Sequence, residues 1–163
     1  MGYGKLVTLN LNPVKNSAAK TINFLESKLA QQSLHDLAVI FLGETHRNEI
    51  DQKVTAAMLA EPPVTRPNAT WVLFERGLDQ VNSYIPSATA VTHTRVEKSP
   101  ADWNGHKRSL KIADMVKDIF DDSDGPVVVY IPCGSAHGSE IFAALDKKMT
   151  QNFSFMFKKT VTE

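Results

Sequence analysis

The sequence predicts an α/β fold in which a mostly parallel central sheet is flanked by helices on both sides, as in a three-layer sandwich. Two observations lead to this prediction. Three short apolar runs, at residues 37–42, 71–74 and 127–131, lack the alternation of half-exposed strands and indicate strands buried on both faces. Helical patterns lie between these runs, which is the order of parallel βαβ units. The prediction leaves room for an antiparallel strand at one edge.

The N-terminal part of the chain predicts a strand and a helix before the first apolar run. Residues 5–11 alternate apolar and polar side chains for most of their length, as in a strand with one wetter face, and residues 12–13 (Asn-Pro) end it. Apolar residues at helical spacing then predict a helix from Ser17 to about Gln32, with Asn16 or Ser17 as its cap.

The middle of the chain predicts a helix, a loop and the second apolar run. Ile50, Val54 and Met58 recur at helical spacing, and three prolines between residues 62 and 67 force a loop before residues 71–74. From residue 78 to residue 105 the pattern is weak, which we interpret as a surface loop that flanks the strand ends.

The last third of the chain predicts two helices and two strands. A helical stripe begins at Arg108, and residues 121–126 stop it before the third apolar run. A further helix carries Ile141 and Leu145. Residues 152–161 then alternate, with three phenylalanines on one face, and predict a closing strand at an edge of the sheet.

Length and composition predict one domain over residues 1–163, because 42% hydrophobic residues suffice for a single core. Eighteen basic residues balance eighteen acidic ones, so no overall field favours nucleic acid. No apolar run approaches the roughly 18 residues of a membrane helix, and the N-terminus lacks a secretory signal pattern. One cysteine excludes an internal disulfide framework. We therefore expect a cytoplasmic protein without a membrane span; the oligomeric state is not indicated.

Each of the three apolar runs ends in ionisable or small polar side chains. These are Glu44 and His46 after the first run, Glu75 and Arg76 after the second, and Cys133, Ser135 and His137 after the third. Ligands of open parallel sheets bind outside the carboxyl ends of the strands, so these side chains are expected to share one site. Two of the three ends carry the pattern Gly-x-x-His, in which the glycine permits a sharp exit from the strand.

The ordered set of Gly43-Glu44-Thr45-His46, Glu75 and Gly134-Ser135-Ala136-His137 resembles the erythromycin esterase/ChaN-like superfamily, which includes TraB/Tiki-type proteins and some bacterial effector domains. The resemblance spans roughly residues 37 to 145. It implies an α/β sandwich with a pocket lined by the two histidines and the acidic residues. Carried over by position, that pocket contains Glu44, His46, Glu75 and His137.

The chain departs from this superfamily in three respects. It is much shorter than the macrolide esterases and lacks the helical segments that cover their substrate. Some members carry an arginine one or two turns after the first histidine, where this chain has Thr55, so that Arg47 and Arg76 are the available substitutes. The ChaN-type lipoprotein is similar to a haem-binding protein, but this chain shows no equivalent tyrosine ligand.

The predicted chemistry is the activation of water for hydrolysis of an ester, lactone, amide or phosphoester. In a metal-free version, His46 takes the proton, Glu44 or Glu75 supports the imidazole, and His137 with Arg76 stabilises the oxyanion. In a metal version, a divalent ion bound by both histidines and by Glu44, Glu75 or both lowers the pKa of a water molecule. Both versions stay open at this point, and the metal-free one is preferred.

Other roles for these residues also follow from the pattern. Arg47, Arg76 and Ser135 are predicted to contact the substrate, a small molecule or a peptide. Cys133 is a candidate nucleophile beside His137, although a small cysteine after a strand more often packs. Ser135 lacks the Gly-x-Ser-x-Gly of a nucleophile elbow. The alternatives to an intracellular hydrolase are a non-catalytic ligand-binding module, with haem the less favoured ligand, and a delivered bacterial toxin or effector domain.

Overall fold

A six-stranded sheet forms the centre of the structure, a computed structural model that describes residues 2–11, 17–45, 48–75, 93–96, 100 and 102–160. The strands are β1 (Gly4–Leu11), β2 (Leu37–Glu44), β3 (Thr70–Phe74), β4 (His93–Val96), β5 (Val127–Gly134) and β6 (Phe153–Thr160). They lie in the order β1-β6-β2-β5-β3-β4, and every pair is parallel. The predicted parallel α/β fold is confirmed, and neither edge of the described sheet carries an antiparallel strand.

Helices cover both faces of the sheet. They are α1 (Ala18–Ala30), α2 (Glu49–Ala60), α3 (Gly105–Asp121) and α4 (Gly138–Lys148), with a 3-10 turn (Ser135–His137) before α4. Leu25 of α1 and Met58 of α2 belong to the core on one face, and Ile112 of α3 and Ile141 of α4 belong to the core on the other. Among the described residues, no helix is both long and apolar enough to cross a membrane.

Side-chain caps mark where three of the helices begin, namely Ser17 for α1, Asn48 for α2 and Asn104 for α3. The Ser17 Oγ accepts a hydrogen bond from the Lys20 N–H at 3.2 Å, so Ser17, one of the two predicted caps, is the cap of α1. The Asn104 Oδ1 accepts from the Lys107 N–H at 2.9 Å. Because Asn104 supplies this cap, α3 begins at Gly105, three residues before the predicted start at Arg108.

The closing strand lies inside the sheet, so the prediction of an edge position for residues 152–161 was wrong. β6 runs between β1 and β2. Its three phenylalanines pack into the core beneath α3 and α4, and Lys158, on the opposite face, is only 2% exposed. Lys158 is buried because Asp51 of α2 pairs with its ammonium group. A strand that carries a lysine can therefore be covered on both faces.

The segment between residues 78 and 105 contains a strand, which corrects the prediction of a surface loop there. β4 pairs with β3 from Trp71–His93 to Phe74–Val96. The indole of Trp71 stacks on the imidazole of His93 with the ring centres 4.4 Å apart. Within this segment, residues 78–92, 97–99 and 101 lie outside the described residues, and the loop prediction stays a prediction for them.

β2 and β5 extend beyond the apolar runs that predicted them and end side by side. The register pairs Gly43 with Cys133 and Glu44 with Gly134. Glu44 and Cys133 are therefore part of the parallel ladder, and Ser135 is one residue beyond it, so the ladder fixes their backbone positions.

Candidate functional site

The carboxyl ends of β2, β5 and β3 are neighbours in the sheet. Glu44 ends β2, Glu75 directly follows β3, and His137 lies in the turn after β5. The topology therefore brings together the three strand ends that the sequence singled out. His46, Arg47 and Arg76 lie outside the described residues, and their roles stay predictions.

Glu75 is the centre of a three-residue cluster at this rim. Its Oε1 lies 3.5 Å from the Nε2 of His137, and its Oε2 accepts a hydrogen bond from the Cys133 thiol at 3.1 Å. The side chains of His137 and Glu75 are 17% and 21% exposed, whereas Cys133 is fully buried. The thiol thus holds the carboxylate from the inside, while solvent can reach the carboxylate and the imidazole from the outside.

The other ring nitrogen of His137 points to α3. Its Nδ1 lies 2.8 Å from the Oγ of Ser109, a residue with no exposed surface. This hydroxyl also lies 3.0 Å from the Gly105 carbonyl oxygen and 3.4 Å from the Glu140 Oε1. The Glu140 Oε2 in turn lies 2.6 Å from the Nδ1 of His106. Ser109 of α3 therefore contacts the His137 ring on the side away from Glu75, and Glu140 of α4 contacts Ser109.

Glu44 lies at the same rim but bonds toward the other layer of helices. Its Oε2 accepts a hydrogen bond from the Thr55 hydroxyl of α2 at 2.9 Å. Ile40 and Leu42, which share the alternation of Glu44, pack on the α1–α2 face, whereas Cys133 packs on the α3–α4 face. The structure thus brings Glu75 and His137 together and places Glu44 beside them on the opposite face of the sheet.

A buried ion pair lies behind the end of β2. The Lys158 ammonium group is 2.7 Å from the Asp51 Oδ1 and donates to the Gly43 carbonyl oxygen at 2.7 Å. The Asp51 Oδ2 accepts a hydrogen bond from the Thr45 N–H at 2.7 Å. The pair therefore fixes the backbone where the chain leaves β2. Asp51 and Thr55 are buried on α2. Their spacing of one helical turn is the feature of the sequence that could have indicated a polar contact on this face of the helix.

Gly43 allows the turn after β5 to approach β2. A Cβ atom at this position would lie 2.5 Å from the Lys158 carbonyl oxygen and 2.6 Å from the Ser135 hydroxyl. Ser135 thus lies against the backbone of β2, and its predicted contact with a substrate stays a prediction. A close approach of backbone explains the first glycine of the Gly-x-x-His pattern at β2.

Cys133 is placed to donate a hydrogen bond to Glu75 rather than to attack a substrate. Burial raises the pKa of its thiol well above the usual value, and the neighbouring carboxylates of Glu75 and Glu44 raise it further. Because the thiolate is the nucleophilic form of cysteine, a thiol held protonated is a poor nucleophile. The geometry therefore argues against a nucleophilic Cys133 activated by His137.

The same cluster offers three potential metal ligands. One atom each from Glu75, Cys133 and His137 lies within 4.8 Å of the others. Thiolate, imidazole and carboxylate donors together suit Zn²⁺, and a bound cation would hold the thiol of Cys133 in its ionised form. The donor set therefore fits a divalent ion, although Cys133 was not among the ligands predicted from the sequence.

We expect the free energy of unfolding of the wild type to fall at alkaline pH relative to that of Cys133→Ala. The unfolded thiol ionises near its ordinary pKa of 9.0, while the folded thiol keeps its proton, so the unfolded state binds fewer protons and stability is lost as pH rises. Above about pH 9.5 the difference should grow by about 1.4 kcal/mol per pH unit. Urea unfolding at several pH values measures it, and a difference independent of pH would contradict the raised pKa.

We also compared the chain with protein-family models, curated proteins and solved structures, and found no match in any of the three comparisons. The resemblance to the erythromycin esterase/ChaN-like superfamily therefore rests on the strand-end motifs alone and stays a prediction.

Proposed function

We propose that the protein is a hydrolase in which Glu75 and His137 activate water. The observation that carries this proposal is the 3.5 Å separation between the Glu75 Oε1 and the His137 Nε2, in side chains that remain partly exposed. The pair lies at the carboxyl ends of parallel strands, where α/β proteins commonly bind their ligands. A carboxylate beside an imidazole stabilises the imidazolium that forms when the ring takes up a proton.

The proposed reaction is general-base catalysis. A water molecule beside His137 gives a proton to Nε2 as its oxygen attacks a carbonyl or phosphoryl centre. Glu75 balances the positive charge of the imidazolium. The proton then passes from Nε2 to the leaving oxygen or nitrogen as its bond to the centre breaks, which restores the neutral imidazole.

Glu44 and His46 remain proposed members of this site. The sequence pattern assigns the base to His46, whereas the described geometry supports His137 in that role because a carboxylate lies beside its Nε2. In this proposal, His46 and Arg76 bind the developing oxyanion. Glu44, held by Thr55, contributes negative charge near the rim.

A metal-assisted form of the same hydrolase has its own supporting observation, the grouping of potential ligands on Glu75, Cys133 and His137. A divalent ion bound there would lower the pKa of a water molecule. Elemental analysis of the purified wild type and of Cys133→Ala distinguishes the two forms. A stoichiometric ion that is lost in the variant supports the metal-assisted form, and metal-free wild type with full activity rejects it.

The test of the proposed function is a panel of activated esters, lactones, amides and phosphoesters, assayed with and without a supplied divalent metal. Wild type is compared with the double variant Glu75→Gln/His137→Ala and with His93→Ala. His93 is an exposed imidazole that pairs near the opposite end of β3. Turnover by the wild type and by His93→Ala, but not by the double variant, supports the proposal. Equal turnover in all three proteins, or ligand binding without turnover, rejects it.

A further inference from the structure

The hydroxyl of Ser109 has one proton and three polar neighbours. Two of these neighbours, the Gly105 carbonyl oxygen at 3.0 Å and the Glu140 carboxylate at 3.4 Å, can only accept hydrogen bonds. The third, the Nδ1 of His137 at 2.8 Å, can either donate or accept, depending on the tautomer of the ring. When the hydroxyl proton goes to either oxygen, Nδ1 has to carry a proton and donate it to the Ser109 Oγ.

Glu140 is held in this arrangement by a contact on its other side. Its Oε2 lies 2.6 Å from the Nδ1 of His106, which is 64% exposed. Its Oε1 lies 3.4 Å from the Ser109 Oγ and can only accept a hydrogen bond from that hydroxyl. A negative charge there favours a hydroxyl that points its proton toward Glu140 or Gly105 and its lone pairs toward His137.

A proton on Nδ1 determines the state of Nε2, the ring nitrogen of His137 that faces Glu75. A neutral imidazole carries one proton, so a protonated Nδ1 leaves Nε2 with its lone pair. Nε2 is the atom 3.5 Å from the Glu75 Oε1, at the partly exposed rim. With this tautomer the basic nitrogen of His137 is directed to the position where a water molecule can reach it.

We propose that Ser109 is a positioning residue that fixes the Nδ1–H tautomer of His137 and leaves Nε2 as the base. The Glu75 carboxylate favours a proton on Nε2, but its Oε1 lies 3.5 Å from that nitrogen, longer than an ordinary hydrogen bond, whereas the Ser109 Oγ lies 2.8 Å from Nδ1. The tautomer therefore rests on the shorter contact, and its effect on turnover rests on the proposed function. Buried hydrogen-bond partners commonly orient histidines in this way at sites that use them.

The tautomer is measured by ¹⁵N NMR of the histidine side chains, at a pH where the imidazoles are neutral and with a chelator present to remove metal from Nε2. In wild type and in Ser109→Thr, which keeps a hydroxyl, we expect His137 to show a protonated Nδ1 and an unprotonated Nε2. In Ser109→Ala we expect the mixture to shift toward Nε2–H. Comparison with His137→Gln assigns the signals. A wild-type ring protonated at Nε2, or one unchanged in Ser109→Ala, overturns the proposal.

Kinetics separates this inference from the proposed function. On the substrate found by the panel, Ser109→Ala should lower kcat by about 10- to 100-fold with little change in KM, and Ser109→Thr should retain most of kcat. A tautomer shift in Ser109→Ala with unchanged kcat would reject His137 as the base and leave the tautomer assignment intact. A loss of kcat without a tautomer shift would reject the assignment.

Discussion

Replacing Lys158 by methionine is expected to lower the free energy of unfolding by about 3–5 kcal/mol, because Asp51 then loses the ammonium group 2.7 Å from its carboxylate. Both side chains are almost wholly buried, so water cannot solvate the carboxylate in place of the lost partner. Methionine fills a similar volume, so the effect reports the charge rather than a cavity. Urea unfolding of the purified variant measures the change.

Lys159→Met is the matched control, since the neighbouring residue in β6 is exposed and its replacement should change stability by less than about 0.5 kcal/mol. In the double variant Asp51→Asn/Lys158→Met the charge imbalance is removed, and we expect much of the lost stability to return. Equal stabilities of Lys158→Met and Lys159→Met would contradict the buried ion pair.

Glu75→Gln is expected to lower the kcat of the proposed hydrolase by about 10²–10³-fold, the usual effect of removing one group that stabilises charge in the transition state. The amide keeps the shape of the side chain but carries no negative charge to balance an imidazolium at His137, whose Nε2 lies 3.5 Å away. The measurement is kcat and KM on the substrate identified by the panel, together with urea unfolding to show that the variant is folded.

Glu61→Gln is the control for this change, because Glu61 is an exposed carboxylate at the far end of α2 and its replacement should leave kcat unaltered. If Glu75→Gln retains wild-type kcat and remains folded, Glu75 has no part in the chemistry.

The central strands could be predicted from the sequence because they are buried on both faces. Residues 37–42 and 127–131 are unbroken apolar runs, and only a sheet covered by helices on both sides buries such runs completely. β4 gave no such signal, since His93 and Thr94 are exposed and its place depends on pairing with β3. The interior position of β6 depended on Lys158 meeting Asp51, a contact between residues 107 positions apart.

The candidate site could be predicted in part, for a similar reason. Glu75 directly follows β3 and His137 lies three residues after the end of β5, so the apolar runs indicated where these two side chains would lie. Ser109 gave no signal because a serine within an amphipathic helix has no pattern that distinguishes a buried partner of histidine from a solvated residue. Residues near the ends of buried strands can thus be predicted from the sequence. A residue on another element that contacts them, such as Ser109, is identified only from the structure.

The interior position of β6 also affects how the protein can be made in a cell. β1 joins the sheet through β6, with Gly4 opposite Phe153, so an early strand needs a partner that is synthesised much later. At roughly 5–20 residues per second, β1 and the open side of β2 stay without that partner for on the order of 10 s. Unpaired strand edges invite association with other chains. This sheet is therefore completed late in synthesis, and these two edges are the surfaces that a chaperone would have to shield until β6 arrives.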